Sequence, residues 1–243
     1  MDAGQINIAE HRVYITGQDV NHIKNVLRMK TGEEIAVSNG EDNREYRCGI
    51  IALGEDMVTC ELRFIKEDAV ELPSRIYLFQ GLPKSEKMEL IIQKAVELGA
   101  YAIIPVAAKR CVVKLDEKKS KNKVLRWQQI AQSAAEQSRR AVIPLVGDVM
   151  GFDEAMKMAS SMDVRIIPYE LAEGMEKTKG IIESIKPGQD IAVFIGPEGG
   201  FDDGEIDRAL KAGIEPVTLG RRILRTETAG FTVISWIMYK LEN

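Results

Sequence analysis

Apolar and polar positions alternate in short runs through the first seventy residues. "RVYI" (12–15), "EEIAVSN" (33–39), "YRCGIIAL" (46–53) and "MVTCELRFI" (57–65) carry β-branched, aromatic and cysteine residues with the two-residue period of half-buried strands. Asn39-Gly40 and Gly54-Glu55-Asp56 are turn signals between them. One stretch changes period: Val20, Ile23, Val26 and Leu27 make a helical apolar face, with Asp19 as its cap, Arg28 and Lys30 at its end and Gly32 as its stop. The pattern predicts a small β-barrel. "KEDAVELPS" (66–74), charged and ending near a proline, reads as a linker, so the domains are drawn as 1–73 and 74–243.

From Arg75 onward strands alternate with helices. "RIYLFQGL" is a strand, and "KSEKMELIIQKAVELG" a helix capped by Ser85 with Met88, Ile91, Ala95 and Leu98 on one face and Gly99 past its end. "AIIPV" is the next strand, and the resulting βαβ unit implies a parallel sheet in an α/β domain. A long helix follows from about Lys118 to Arg139, burying Val124, Trp127, Ile130, Ala131 and Ala134. "VRIIPYE", "IAVFIG" and "PVTLG" are further strands, and the last helix is expected from about Thr228 to Lys240 with Phe231, Ile234, Met238 and Leu241 inward.

Length and composition narrow the class. At 243 residues and 45% hydrophobic the chain can bury an ordinary soluble core. "MDAGQINIAEHRVYI" lacks a basic region followed by an apolar run, and "FTVISWIM" is too short for a bilayer, so a cytoplasmic protein with no membrane association is expected. Cys48, Cys60 and Cys111, with His11 and His22, show no metal-ligand spacing; no metal is expected, and buried cysteines serving as small hydrophobes fit better. Net charge is −4, but it is uneven: residues 74–140 hold fourteen Lys and Arg against six Asp and Glu, a balance of +8. That segment is a candidate footprint for a polyanion, with a solvated lysine-rich helix end around "KLDEKKSKNK" as the plainer reading.

Two loops carry candidate chemistry. "IAVFIGPEGGFDDGEID" is a buried strand, a glycine-rich turn and a helix start in which Asp202 precedes Glu205 by three, a capping-box pattern. The spacing of Gly196, Gly199 and Gly200 matches neither the dinucleotide fingerprint nor a phosphate loop. Glu198 inside the turn would repel phosphate but accept hydrogen bonds from ribose hydroxyls or an amine. The plain alternative is a tight turn needing glycine's positive φ. In "LGRRILRTETAG" the backbone around Leu219, Gly220, Ile223 and Leu224 can enclose a flat base, and Thr226 and Thr228 are donors beside the helix start. Arg221, Arg222 and Arg225 suit phosphate or an anionic nucleobase oxygen, or ion pairs with "FDDGEID".

"FIGPEGGFDDGEID" together with "LGRRILRTETAG" resembles the paired signature of the bacterial 16S ribosomal RNA uridine-N3 methyltransferases, the RsmE family of the SPOUT class. The likeness continues in "HIKNVLRMKTGEEI", "KSEKMELIIQKAVELGA", Arg110-Cys111 and "WQQIAQSAAEQSRRAVIP", and so covers nearly the whole chain. It implies an N-terminal PUA-like β-barrel and a C-terminal SPOUT α/β domain closed by a trefoil knot, which nothing in the periodicity indicates. It implies a homodimer that binds S-adenosyl-L-methionine and methylates 16S rRNA within an assembled or nearly assembled 30S subunit. The cofactor loops then fall on "IPYE" (167–170) with Pro168 and Tyr169, on Gly196, Pro197, Glu198, Gly199 and Gly200, and on Leu219 to Ala229.

Uracil N3 carries a proton at neutral pH, so its methylation needs help in losing it. Arg225 is the candidate for stabilising the anion and Glu227 the candidate base or orienting carboxylate; Glu227 could equally serve only the helix amino terminus. For RNA the candidates are Arg12 and Arg28 in the barrel, and Lys84, Lys87, Arg110, Arg139, Arg221 and Arg222 in the larger domain. A non-catalytic RNA-binding or ribosome-assembly factor with the same fold, and a nucleotide-using metabolic enzyme, stay open as alternatives.

Overall fold

In the computed structural model, which describes residues 3–67, 70–169 and 174–243, the amino-terminal alternation becomes antiparallel strands. They are β1 (Ile6–Asn7), β2 (Arg12–Thr16), β3 (Glu34–Val37), β4 (Glu45–Leu53) and β5 (Met57–Lys66), ordered β1-β2-β5-β4-β3. Alternate residues point inward, so Val13, Ile15, Val58, Cys60 and Leu62 share a core with Tyr46, Cys48 and Ile50. Register shifts between Arg47 and Cys48 and between Ile50 and Ala52 bend the long β4–β5 hairpin. It turns at 54–56, where the Gly54 amide donates to the Met57 carbonyl at 2.8 Å. The short strand β1 carries no alternation of its own and escaped the sequence reading.

The helix in this unit departs from expectation. α1 (Gln18–Asn21) starts after Gly17, with Asp19 inside its first turn and no side-chain cap, and it widens into a π turn over His22–Val26. The extra residue per turn rotates the apolar stripe off the core. Val20 and Ile23 stay buried, whereas Val26 and Leu27 are 61% and 52% exposed.

Contacts divide the chain into two units, Met1–Glu71 with Arg139–Ile143, and Leu72–Ser138 with Pro144–Asn243. The segment 139–143 belongs to the smaller unit through its own bonds. The buried guanidinium of Arg140 pairs with Glu71, which also accepts the Val142 amide at 3.2 Å, and the Ile143 amide donates to the Gly40 carbonyl at 2.9 Å. The linker residues Asp68 and Ala69 lie outside the described residues.

The larger unit runs β6 (Arg75–Gly81), α2 (Lys87–Glu97), β7 (Ala102–Ala107), α3 (Glu117–Gln137), β8 (Leu145–Val146), β9 (Met150–Gly151), α4 (Phe152–Ala159), β10 (Val164–Pro168), α5 (Met175–Ser184), β11 (Asp190–Ile195), α6 (Asp203–Lys211), β12 (Glu215–Val217) and α7 (Thr226–Leu241). The strands form one parallel sheet in the order β12-β10-β11-β6-β7-β8, with β9 against the end of β7. Its central strands are apolar on both faces, and Phe79 of β6 stacks on Phe194 of β11 with ring centroids 4.5 Å apart.

Two helix details correct the sequence reading. Ser85 does not cap α2: it sits at φ 58, and Glu86 precedes the first turn without a side-chain cap bond. α7 begins at Thr226 and buries Gly230, Val233, Ile234 and Ile237; of the expected face only Ile234 is fully buried. A helix packed against both α2 and α5 as well as β11 and β6 is apolar almost all round, so its period does not single out one face.

Candidate methyltransferase site

In an open parallel sheet, ligands bind beyond the carboxyl ends of the strands. Here β10 ends in Pro168 and Tyr169, β11 runs into Gly196–Gly200, β12 into 218–225, and β6 into 81–84. The loops are tied to one another. The Tyr169 amide donates to the Val217 carbonyl at 3.0 Å. The buried Thr178 hydroxyl of α5 donates to the Thr218 carbonyl at 3.2 Å and accepts the Thr218 amide at 3.0 Å.

Between β6, β11 and α7 runs a chain of polar bonds. Gln80 Nε2 donates to Thr226 Oγ1 at 2.9 Å, and Thr226 Oγ1 donates to the Gly196 carbonyl at 2.6 Å. The chain has therefore come back from the sheet edge at β12, past β10, to set the start of α7 against the β11 loop. Close approach is built in: a Cβ on Gly81 would lie 2.6 Å from Pro197 N and Cδ, and Gly200 sits at φ 67, where a side chain is strained.

Glu198 projects from the β11 turn, its carboxylate accepting the Lys84 amide at 3.1 Å and pairing with Lys87 Nζ at 3.2 Å. Burial alone would raise this carboxyl, but bonds from the Glu198 and Lys84 amides and from Lys87 outweigh it and hold the group below its usual range. Glu227, in the first turn of α7, lies 3.4 Å from the same ammonium, and its Oε2 is buried without a hydrogen bond. Gln80 Oε1, fully buried, is likewise without a donor among the described residues. Two buried acceptors beside a close-packed glycine turn fit a ligand that brings hydroxyl or amine donors.

Comparison with known proteins decides the family. The family model described as RNA methyltransferase domain matches residues 70–238, and that described as RNA methyltransferase PUA domain matches residues 15–63. A ribosomal RNA small subunit methyltransferase E of Bacillus subtilis (strain 168) is 40% identical over 231 residues, 94% of this chain and 90% of the relative. One from Mesomycoplasma hyopneumoniae (strain 232) is 33% identical over 93% of each chain. The crystal structure of ribosomal RNA small subunit methyltransferase E from Neisseria gonorrhoeae, bound to S-adenosyl methionine, superposes with a TM-score of 0.80 at 32% identity, covering 94% of this chain and 91% of that one. The chain belongs to the ribosomal RNA small subunit methyltransferase E family. It thus joins a PUA domain to an RNA methyltransferase domain.

Against that family assignment, the expected residues fall into three groups. Pro168, Tyr169, Gly196 to Gly200 and Leu219 to Ala229 come together at one end of the sheet; Glu170 lies outside the described residues. Arg221, Arg222 and Arg225 are exposed, and no carboxylate among the described residues is within ion-pair distance of them; Ile223, 84% exposed, turns its side chain to solvent beside them. Thr228 is exposed on the first turn of α7, and the Ala229 amide closes that turn on the Arg225 carbonyl at 2.8 Å.

The other cations differ more. Lys84 is exposed and Arg139, at φ 59, is exposed; Arg28 is exposed at φ 55. Arg12 is half-exposed and lies 3.9 Å from Glu61. Arg110 is turned onto the β11 loop and α6, reaching the Gly199 carbonyl at 3.4 Å and Asp203 at 3.2 Å, and Lys109 holds Asp202 at 3.0 Å. "FDDGEID" therefore pairs with β7's loop, not with the arginines of 221–225. The capping box is present, and buried Glu205 also accepts the Lys109 amide at 2.8 Å. Gln80, Thr178 and the inward position of Lys87 escaped the sequence reading; a lone glutamine in "RIYLFQGL" was the available signal.

Proposed function

We propose that this chain transfers a methyl group from S-adenosylmethionine to N3 of a uridine in 16S rRNA of the small ribosomal subunit. The observation that carries the reading is the convergence of the β10, β11 and β12 loops around Glu198, Glu227 and the unbonded buried Gln80 Oε1, in a chain whose relatives are named for small-subunit rRNA methylation. S-adenosylmethionine supplies an electrophilic methyl group when bound. Glu198 and the amides and carbonyls of 196–200 and 219–224 would hold its ribose, amine and base, Pro168 and Tyr169 closing one side. A site with two carboxylates against one ammonium suits a cationic ligand and repels phosphate.

The chain's own residues divide the remaining work. Arg225, exposed and with no carboxylate partner among the described residues, stabilises negative charge on a uracil carbonyl from the start of α7; Glu227 takes or orients the N3 proton. Arg28, Arg139, Arg221 and Arg222 bind phosphates. A homodimer completes the reading, as does a trefoil knot, which the return of α7 from the edge strand β12 to β11 and β6 supports. Labelled methyl transfer from S-adenosylmethionine to small subunits lacking the modification, followed by nucleoside mass analysis, tests it: 3-methyluridine at one site is expected. Cofactor binding without transfer would redirect the search to another RNA, and no cofactor binding would favour the non-catalytic RNA-binding factor.

A further inference from the structure

Lys87 is the residue whose position the sequence least prepared. It opens α2, and by composition it belongs with the basic residues expected on RNA. Its ammonium instead points inward, 3.2 Å from Glu198 on the β11 loop and 3.4 Å from Glu227 on α7, with its side chain 29% exposed. Neither carboxylate has another basic side chain within ion-pair distance among the described residues. The Lys84 amide, three residues earlier on the same connection, already occupies part of Glu198. Glu227 Oε2 has no hydrogen bond of its own and is oriented by this ion pair.

We infer that Lys87 is a positioning residue of the methyl-transfer site, a single cation that holds Glu198 and Glu227 toward each other, and is not an RNA-phosphate contact. The inference rests on the proposed function and deepens it. Two carboxylates that share one ammonium are kept apart from mutual repulsion only while the cation stays between them. Removing it leaves two like charges facing each other, so Glu227 is expected to turn away and the Glu198 turn to loosen. The Lys87 ammonium is held charged, first by its bond to Glu198, as that role needs. A phosphate group would have to approach the ammonium beside two carboxylates that already engage it and would repel the newcomer.

The test compares Lys87→Met and Lys87→Arg with the wild-type chain, measuring kcat, KM for small subunits, and RNA affinity as a function of salt. For Lys87→Met the expected result is a fall in kcat of about 100-fold, the size of effect a misplaced reacting group produces. RNA affinity and its salt slope stay at wild-type values. Lys87→Arg, which can still span both carboxylates, recovers most of the rate, and Glu227→Gln added to Lys87→Met costs little more than either change alone. A salt slope lowered by about one with kcat intact would mark a phosphate contact and overturn the inference. So would unchanged kcat, KM and slope together. If Lys87→Met does not fold, the Arg variant decides: wild-type folding with kcat as low as that of Glu227→Gln overturns the positioning role. A wild-type chain that transfers no methyl group fails the underlying reading, and shows it before any variant is made.

Discussion

Cys48 and Cys60 show how far a residue's type can predict its surroundings. Neither sits in a metal-like spacing, both were expected as small hydrophobes, and both are buried on β4 and β5. Burial pushes the Cys48 thiol up to about 12 and the Cys60 thiol up to about 11, from an ordinary value of 9.0. The folded chain keeps these protons where the unfolded chain has released them. Stability from this source is whole below the ordinary thiol value and is lost as pH rises from there through the folded values. Cys48→Ala should therefore lose less of its melting temperature than wild type between about pH 8 and about pH 10.5; parallel losses would assign the alkaline limb to other groups. At the same scale, Arg225→Ala should lower turnover about 100-fold, as removal of an electrostatic donor does, while cofactor affinity stays within about twofold. Equal losses in both, measured by initial rates and calorimetry, would make Arg225 a binding residue.

Elements were legible where one face meets one core. β2 and β5 alternate because one side is buried, and β6, β7 and β11 read as continuous apolar runs because both sides are. α7 was harder: neighbours on several sides blur its period, and its first residue, Thr226, is polar because it is bonded to Gln80 and Gly196. Thr226→Val keeps the shape and removes the hydroxyl, leaving Gln80 Nε2 with one acceptor fewer and the Gly196 carbonyl without its donor. The cost should be about 1–3 kcal/mol in urea unfolding, with cofactor affinity falling as the β11 loop loosens. An unchanged midpoint and affinity would show that packing alone holds α7 to the loop. The π turn at His22–Val26 went unread for a different reason: its hydrogen bonding departs from the 3.6-residue period on which the apolar stripe was counted.

Across the whole molecule, charge is redistributed by pairing. The stretch 74–140 is the most basic in sequence, yet Lys94, Lys109, Arg110, Lys119, Lys121 and Arg126 each lie within ion-pair distance of a carboxylate. Arg221 and Arg222 come from the acidic remainder and have no such neighbour among the described residues. Replacing both by Gln should lower the salt slope of RNA binding by about two, whereas the same changes at Lys119 and Lys121 should leave it unaltered. The opposite ranking would restore the lysine-rich helix end as the footprint. The smaller unit offers a second test: Glu71→Ala removes the carboxylate that pairs with buried Arg140 and accepts the Val142 amide, and should cost about 1–3 kcal/mol, read as a lowered urea midpoint. A near-neutral result would mean that segment 139–143 is held by its backbone bonds.

The sequence by itself determined the two-part architecture, the longer strands and helices, and the glycine-rich and arginine-rich loops, because each is written in local period, turn residues or a contiguous motif. Tertiary structure alone decided that Lys87 faces Glu198 and Glu227, that Gln80 and Thr226 join β6 to α7, that residues 139–143 return to the smaller unit, and which cations remain unpaired. Those depend on groups far apart along the chain being brought within a few ångströms, and no local pattern records such a distance.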